Sequence, residues 1–211
     1  IMEKTQEVFE YSKEVVSEWF VNGRGLRNKP LKNYTSGDKK KGSNGRHIGF
    51  EGITRKIILK AIAVYGLTGR CSINSDYFKD VYKEFDDQRM DHHVWIDDKV
   101  VIIEEDRAWI DKPFYILKRA VVFTFMKLPH VKKCLSDDVV FIFSTLARDT
   151  TKVTKSTADE VFGYGDYITE VNFSGHPRRP YKYNYFDNGY SETELLKYVE
   201  TLCEVFSKYE K

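Results

Sequence analysis

The sequence predicts an α/β domain: a central mixed β-sheet flanked by helices. Three observations predict it. Segments of helical period stand near both ends of the chain, in EKTQEVFEYSKEVVSEWFV and SETELLKYVETLCEVFSKY. Two short apolar runs in MDHHVWIDDKVVIIEEDRAW are joined by an acidic turn, as in a hairpin. The continuous run Val139 to Phe143 lacks polar alternation, which marks a strand buried on both faces. The 211 residues fit a single domain spanning 1–211. Their 41% hydrophobic and 31% charged content is that of a folded chain.

Each element has a local reason. Val8, Tyr11, Val15 and Trp19 recur at helical spacing, and Asn22-Gly23 should end that helix. A second helix is expected from about Glu51 to Tyr65, with Ile57, Ile58, Ala61 and Val64 apolar. A third is expected from Asp76 to Phe85. The hairpin follows, with strands Met90–Ile96 and Lys99–Arg107 and a turn near Asp97 to Lys99. Pro113 suits a first helical turn, so a buried helix is expected to Leu128. Beyond the Val139–Phe143 strand, a further one is expected over Tyr167–Phe173. Ser191 and Glu194 form a capping box that opens the last helix. Leu195, Val199, Leu202 and Phe206 mark its buried stripe.

Charge is spread in blocks. The whole chain has a formal charge of +2. Residues 22–47 hold eight Lys or Arg against one Asp, a net of +7, with five glycines and a proline that exclude a regular element. Residues 84–111 hold ten acids against three basic residues, a net of −7. These blocks read either as solvated faces or as a polyanion-binding surface around an acidic metal pocket. A second excursion, residues 174–189, sets four aromatics and three basic residues among two prolines. Three well-separated cysteines argue against a disulfide framework and for a reducing cytoplasm. The first residues contain no secretory apolar region, and no stretch approaches a membrane span.

Strand alternation puts Glu104 and Asp106 on one face, and Glu105 and Arg107 on the other. A turn around Asp97 and Asp98 sets Asp91 opposite Glu104. Opposed carboxylates about 5 Å apart at the β-carbons suit one Mg²⁺, which takes oxygen ligands and keeps some water. A hydrolytic site needs such water as its nucleophile.

An Asp on one hairpin arm followed by an apolar strand ending in acids resembles the PD-(D/E)-x-K nuclease superfamily. The resemblance covers roughly residues 48 to 146 and rests on MDHHVWIDDKVVIIEED. It implies a restriction-endonuclease-like core with Asp91 and Glu104 as Mg²⁺ ligands, and Glu51 as the acid of the preceding helix. The sequence departs from the family in two places. Met90 stands where the family's Pro precedes Asp91, and Asp106 stands where its Lys follows Glu104. Asp106 then serves as a third ligand, and Lys118 or Lys112 takes the lysine role. Alternatively Glu105 is the ligand and Arg107 holds the lysine position, although an arginine that stays protonated is a poor water activator.

The expected function is therefore a Mg²⁺-dependent, sequence-specific endonuclease acting on double-stranded DNA, of the type II restriction class. The resemblance implies a homodimer leaving 5′-phosphates. Lys39, Lys40, Lys41 and Arg46 in the basic loop would contact phosphates. Arg178 and Arg179, between Pro177 and Pro180, would read guanine edges. Two alternatives stand beside this: a non-catalytic nucleic-acid binder using YKYNYF for stacking, and a protein-interaction domain docking through an acidic patch. His92 and His93 read as packing or hydrogen-bonding residues.

Overall fold

The computed structural model describes residues 2–22, 50–74, 92–109, 128–147, 168–173 and 190–211. Their order is α1 (Met2–Asn22), α2 (Phe50–Val64), β1 (Cys71–Asn74), β2 (His92–Ile96), β3 (Lys99–Trp109), a single-turn α3 (Pro129–Lys132), β4 (Leu135–Ala147), β5 (Ile168–Asn172) and α4 (Glu192–Ser207). The strands form one sheet in the order β1-β2-β3-β4-β5. The first three pair antiparallel, whereas β3–β4 and β4–β5 pair parallel. The chain is thus an α/β protein with a mixed sheet. The β1 strand has no counterpart in the sequence reading. The helices expected over 76–85 and 113–128 lie outside the described residues, save Leu128 itself, which precedes α3.

One face of the sheet carries α1, α2 and α4. Val94, Ile102, Ile142 and Val171 from the strands share one core with Val8 of α1, Ile57 and Ile58 of α2, and Leu195, Val199, Leu202 and Phe206 of α4. Ile103, Glu105, Phe141 and Phe143 alternate onto the other face and are buried too. The acids at 104 and 105 therefore do not stand on a solvated face.

Local chemistry explains the ends of these elements. In α1 the buried positions are Val8, Phe9, Ser12 and Val16, while Tyr11 and Val15 are half-buried. Val8 is thus buried as expected, Val15 packs against the core as a half-buried residue, and the side chain of Trp19 lies outside the description. After α2 the chain reverses through Gly66, at φ 68°. Leu67 N–H donates to Ile62 O at 2.9 Å and Gly66 N–H to Ala63 O at 3.0 Å, the paired bonds of a Schellman ending. Ser191 caps α4, accepting from Glu194 N–H at 3.3 Å. The Ser191 N–H itself donates to Phe173 O at 2.7 Å, so the cap also ties α4 to the end of β5.

The hairpin turn is held from outside. Asp97 adopts φ 53°, which a short polar side chain tolerates. Arg70 grips it with two bonds, Nε to Oδ1 at 3.1 Å and Nη2 to Oδ2 at 2.7 Å. Arg70 also donates to Tyr209 O at 2.9 Å, bringing the segment after α4 to the turn. None of the three cysteines is in a disulfide. Burial pushes the Cys71 thiol up to about 11. No helix among the described residues is long and apolar enough to cross a membrane.

Leu202 is fully buried in the core that joins three helices. Leu202→Ala should cost about 2–5 kcal/mol, and Ser191→Ala about 1 kcal/mol, in chemical denaturation. The Ser136 hydroxyl holds the Asp138 carboxyl below its ordinary range, against the upward push of burial and with help from the Lys208 ammonium. A lowered carboxylate adds stability above its ordinary pKa and loses it as the pH falls through the lowered one. The stability gap between wild type and Asp138→Asn should be full at pH 7 and shrink below about pH 4. A gap that stays constant down to acid pH would remove Asp138 from that role.

Candidate functional site

The site begins with a register. Ile96 pairs with Lys99 and Trp95 with Val100, as a simple hairpin count requires. Val101 is then an extra residue, and the next pairs are Val94 with Ile102, His93 with Ile103 and His92 with Glu104. This bulge corrects the expected geometry. The residue opposite Glu104 is His92, not Asp91, because one inserted residue shifts all later pairs by one.

Glu104 lies in the middle of β3 and has no exposed surface. Burying a carboxylate is costly unless the protein replaces its water. Here hydroxyls do so. Tyr198 donates to Glu104 Oε1 at 2.6 Å and Ser144 to the same oxygen at 3.3 Å. His92 Nε2 lies 3.6 Å from Glu104 Oε2 and 3.2 Å from Thr54 Oγ1. All five residues are buried. They come from α2, β2, β3, β4 and α4, so the cluster joins the helical layer to the centre of the sheet.

The sequence explains each placement. Thr54 sits among Ile53, Ile57 and Ile58 on the buried side of α2. Ser144 ends the apolar run of β4 and shares the face of Ile142. Tyr198 belongs to the buried stripe of α4, with its ring 5.4 Å from that of Phe173. Sequence reading missed Tyr198, Ser144 and Thr54. The available signal was a polar group within each apolar face, since a buried Tyr hydroxyl usually finds a partner.

The expected site residues are distributed as follows. Glu104 is in the cluster. Glu51 lies in the first turn of α2, three residues before Thr54, and Asp106 lies in β3 opposite Ser144. The side chains of Glu51, Asp106 and Arg107 are outside the description. Glu105 faces away from Glu104, paired with Phe143, so the two do not share a site. Asp91, Lys112, Lys118, Lys39, Lys40, Lys41, Arg46, Arg178 and Arg179 lie outside the described residues.

The nuclease resemblance implies a divalent cation. Glu104 supplies the hard oxygen donor that Mg²⁺ takes, and its described neighbours are hydroxyls and an imidazole. Among the described residues no group of three or more His, Cys, Asp or Glu is placed to hold a metal ion. The described residues bring one carboxylate, so a Mg²⁺ site here would need Glu51, Asp91 or Asp106, whose side chains lie outside the description.

Removing the carboxylate would take the acceptor from two buried hydroxyls. Glu104→Ala should therefore destabilise the protein by at least about 1–3 kcal/mol. Glu104→Gln, which keeps an oxygen for Tyr198 and Ser144, should cost less. Equal denaturation midpoints for Glu104→Ala and wild type would show that the cluster does not support the fold.

No protein-family model, curated protein or solved structure matches the chain, so the chemistry of the site rests on its own geometry.

Proposed function

We propose that the protein is a Mg²⁺-dependent endonuclease acting on double-stranded DNA, with a restriction-endonuclease-like core. One observation carries the reading. A mid-strand carboxylate, Glu104, lies where α2, β2, β3 and β4 meet, and the acids at 51, 91 and 106 adjoin that point along the chain. An antiparallel β1-β2-β3 unit continued by a parallel β4 also supports it, because a mixed sheet is what such a core has.

Glu104 would hold the cation with Asp106, and with Asp91 or Glu51. A cation bound there would polarise the scissile phosphate and acidify a water. Lys118 would stabilise charge developing on the phosphate. Lys39, Lys40, Lys41 and Arg46 would neutralise backbone phosphates, and Arg178 and Arg179 would read bases. A homodimer would place two such sites on the two strands. The reading as a non-catalytic nucleic-acid binder keeps the basic loop and gives the acids no task. The acidic docking patch is weakened, because Glu104 and Glu105 are buried.

Incubation of the full chain with mixed duplex DNA and Mg²⁺, read on a gel, tests the proposal. Wild type should cut. Glu104→Gln should lose more than the ~10–100-fold that removal of an outer-shell partner costs. DNA bound but uncut at every Mg²⁺ concentration would favour the binding protein. Wild-type rates in Glu104→Gln would take Glu104 out of the chemistry.

A further inference from the structure

We propose that residues 208–211, which follow α4, form a latch: closed, it fastens the β2–β3 turn and the start of β4 to the helical layer, and it opens together with that turn, as one local unit, while the core stays folded. The inference is independent of the nuclease reading above.

The latch has two fastenings. The first is Arg70, just before β1. Its Nη1 donates to Tyr209 O at 2.9 Å, while Nε and Nη2 donate to the two carboxylate oxygens of Asp97 at 3.1 and 2.7 Å. The Asp97 N–H donates back to Arg70 O at 2.9 Å, so the turn and Arg70 hold each other by side chain and backbone. One guanidinium thus serves both the turn and the segment after α4. The second fastening is Asp138. The β4 register passes from Leu135, opposite Val100, to Val140, opposite Ile102, so Ser136 and Asp138 lie in an irregular stretch. Lys208 Nζ donates to Asp138 Oδ2 at 2.9 Å. The Tyr209 hydroxyl lies 3.2 Å from Ser136 Oγ and donates to Asp138 Oδ1 at 3.5 Å, and Ser136 donates to that oxygen too. Glu210 pairs with Lys4 of α1.

These bonds differ in kind from those that hold α4. Leu202 and Phe206 are fully buried, and the helix needs nothing from the latch to stay in place. The latch is polar and wet: the Lys208 and Asp138 side chains are 45% and 44% exposed, and Asp97 is 55% exposed. Segments held by solvent-exposed polar bonds open first, and salt weakens exposed ion pairs. Because Arg70 shares its donors between Asp97 and Tyr209, and Tyr209 shares its ends between Arg70 and Asp138, a loss at one fastening loosens the other.

The test is amide hydrogen exchange of the full chain, residue by residue, where closing outruns exchange. The reporters are the Asp97 N–H, bonded to Arg70 O, and the Tyr209 N–H, bonded to Phe206 O at 3.1 Å. The Leu202 N–H in the core is the control. Lys208→Gln removes a bond that does not touch the turn. It should nonetheless speed exchange at Asp97 and Tyr209 together, by about 1.5–5-fold, the worth of an exposed ion pair. Arg70→Lys keeps the charge and loses the fork, and should speed both by more. Added salt should speed both in wild type. Leu202 should keep its wild-type rate throughout. Faster exchange at Tyr209 alone in Lys208→Gln would overturn the proposal, because the segment would then fray without the turn. An equal rise at Leu202 would overturn it as well, because the opening would then be global, and so would unchanged rates at all three amides.

Discussion

A carboxylate buried in the middle of a sheet must find inside the protein what water would have given it. Glu104 meets that constraint through hydroxyls from α4 and β4 and an imidazole from β2. Each partner belongs to an element that also builds the apolar core, so the packing of the helices and the state of the carboxylate depend on each other. Isolated buried charge would oppose folding. Placed in this network, it ties the helical layer to the sheet. A paired Glu104 is thus compatible with the surrounding apolar residues.

The bulge at Val101 decides which side chain takes part. Counting back from Ile96 and Lys99 brings Asp91 to Glu104, and the extra residue brings His92 instead. Nothing in the alternation of HHVWIDDKVVIIEED announces it, because Val100, Val101, Ile102 and Ile103 are all apolar and admit either register. Strand existence and hairpin pairing are legible because they follow from composition over many residues, whereas register depends on a single one. The last helix is the most legible element, since its cap and stripe are both local. Its Tyr198 contact is not, because the partner lies 94 positions earlier in the chain.

The two ends of the hairpin are held differently. At the turn, Arg70 binds Asp97 and reaches the carbonyl of Tyr209. The ion pair there is exposed, so water and salt weaken it. At Glu104 the contacts are buried and the donors fixed. The turn is therefore a local clamp, while the buried cluster ties the helices to the sheet. The pairing of Glu105 with Phe143 on the opposite face separates two acids that are adjacent in sequence. Of the pair, Glu104 is the one turned toward the polar groups that α2 and α4 bring to the sheet.

The claim that Glu104 is the centre of a cation site is tested most directly by anomalous diffraction from crystals soaked in Mn²⁺. A cation site there should give a single strong peak within about 2–2.5 Å of a Glu104 carboxylate oxygen, with further ligands from neighbouring acids. A crystal with Mn²⁺ elsewhere, and none at Glu104, would contradict it.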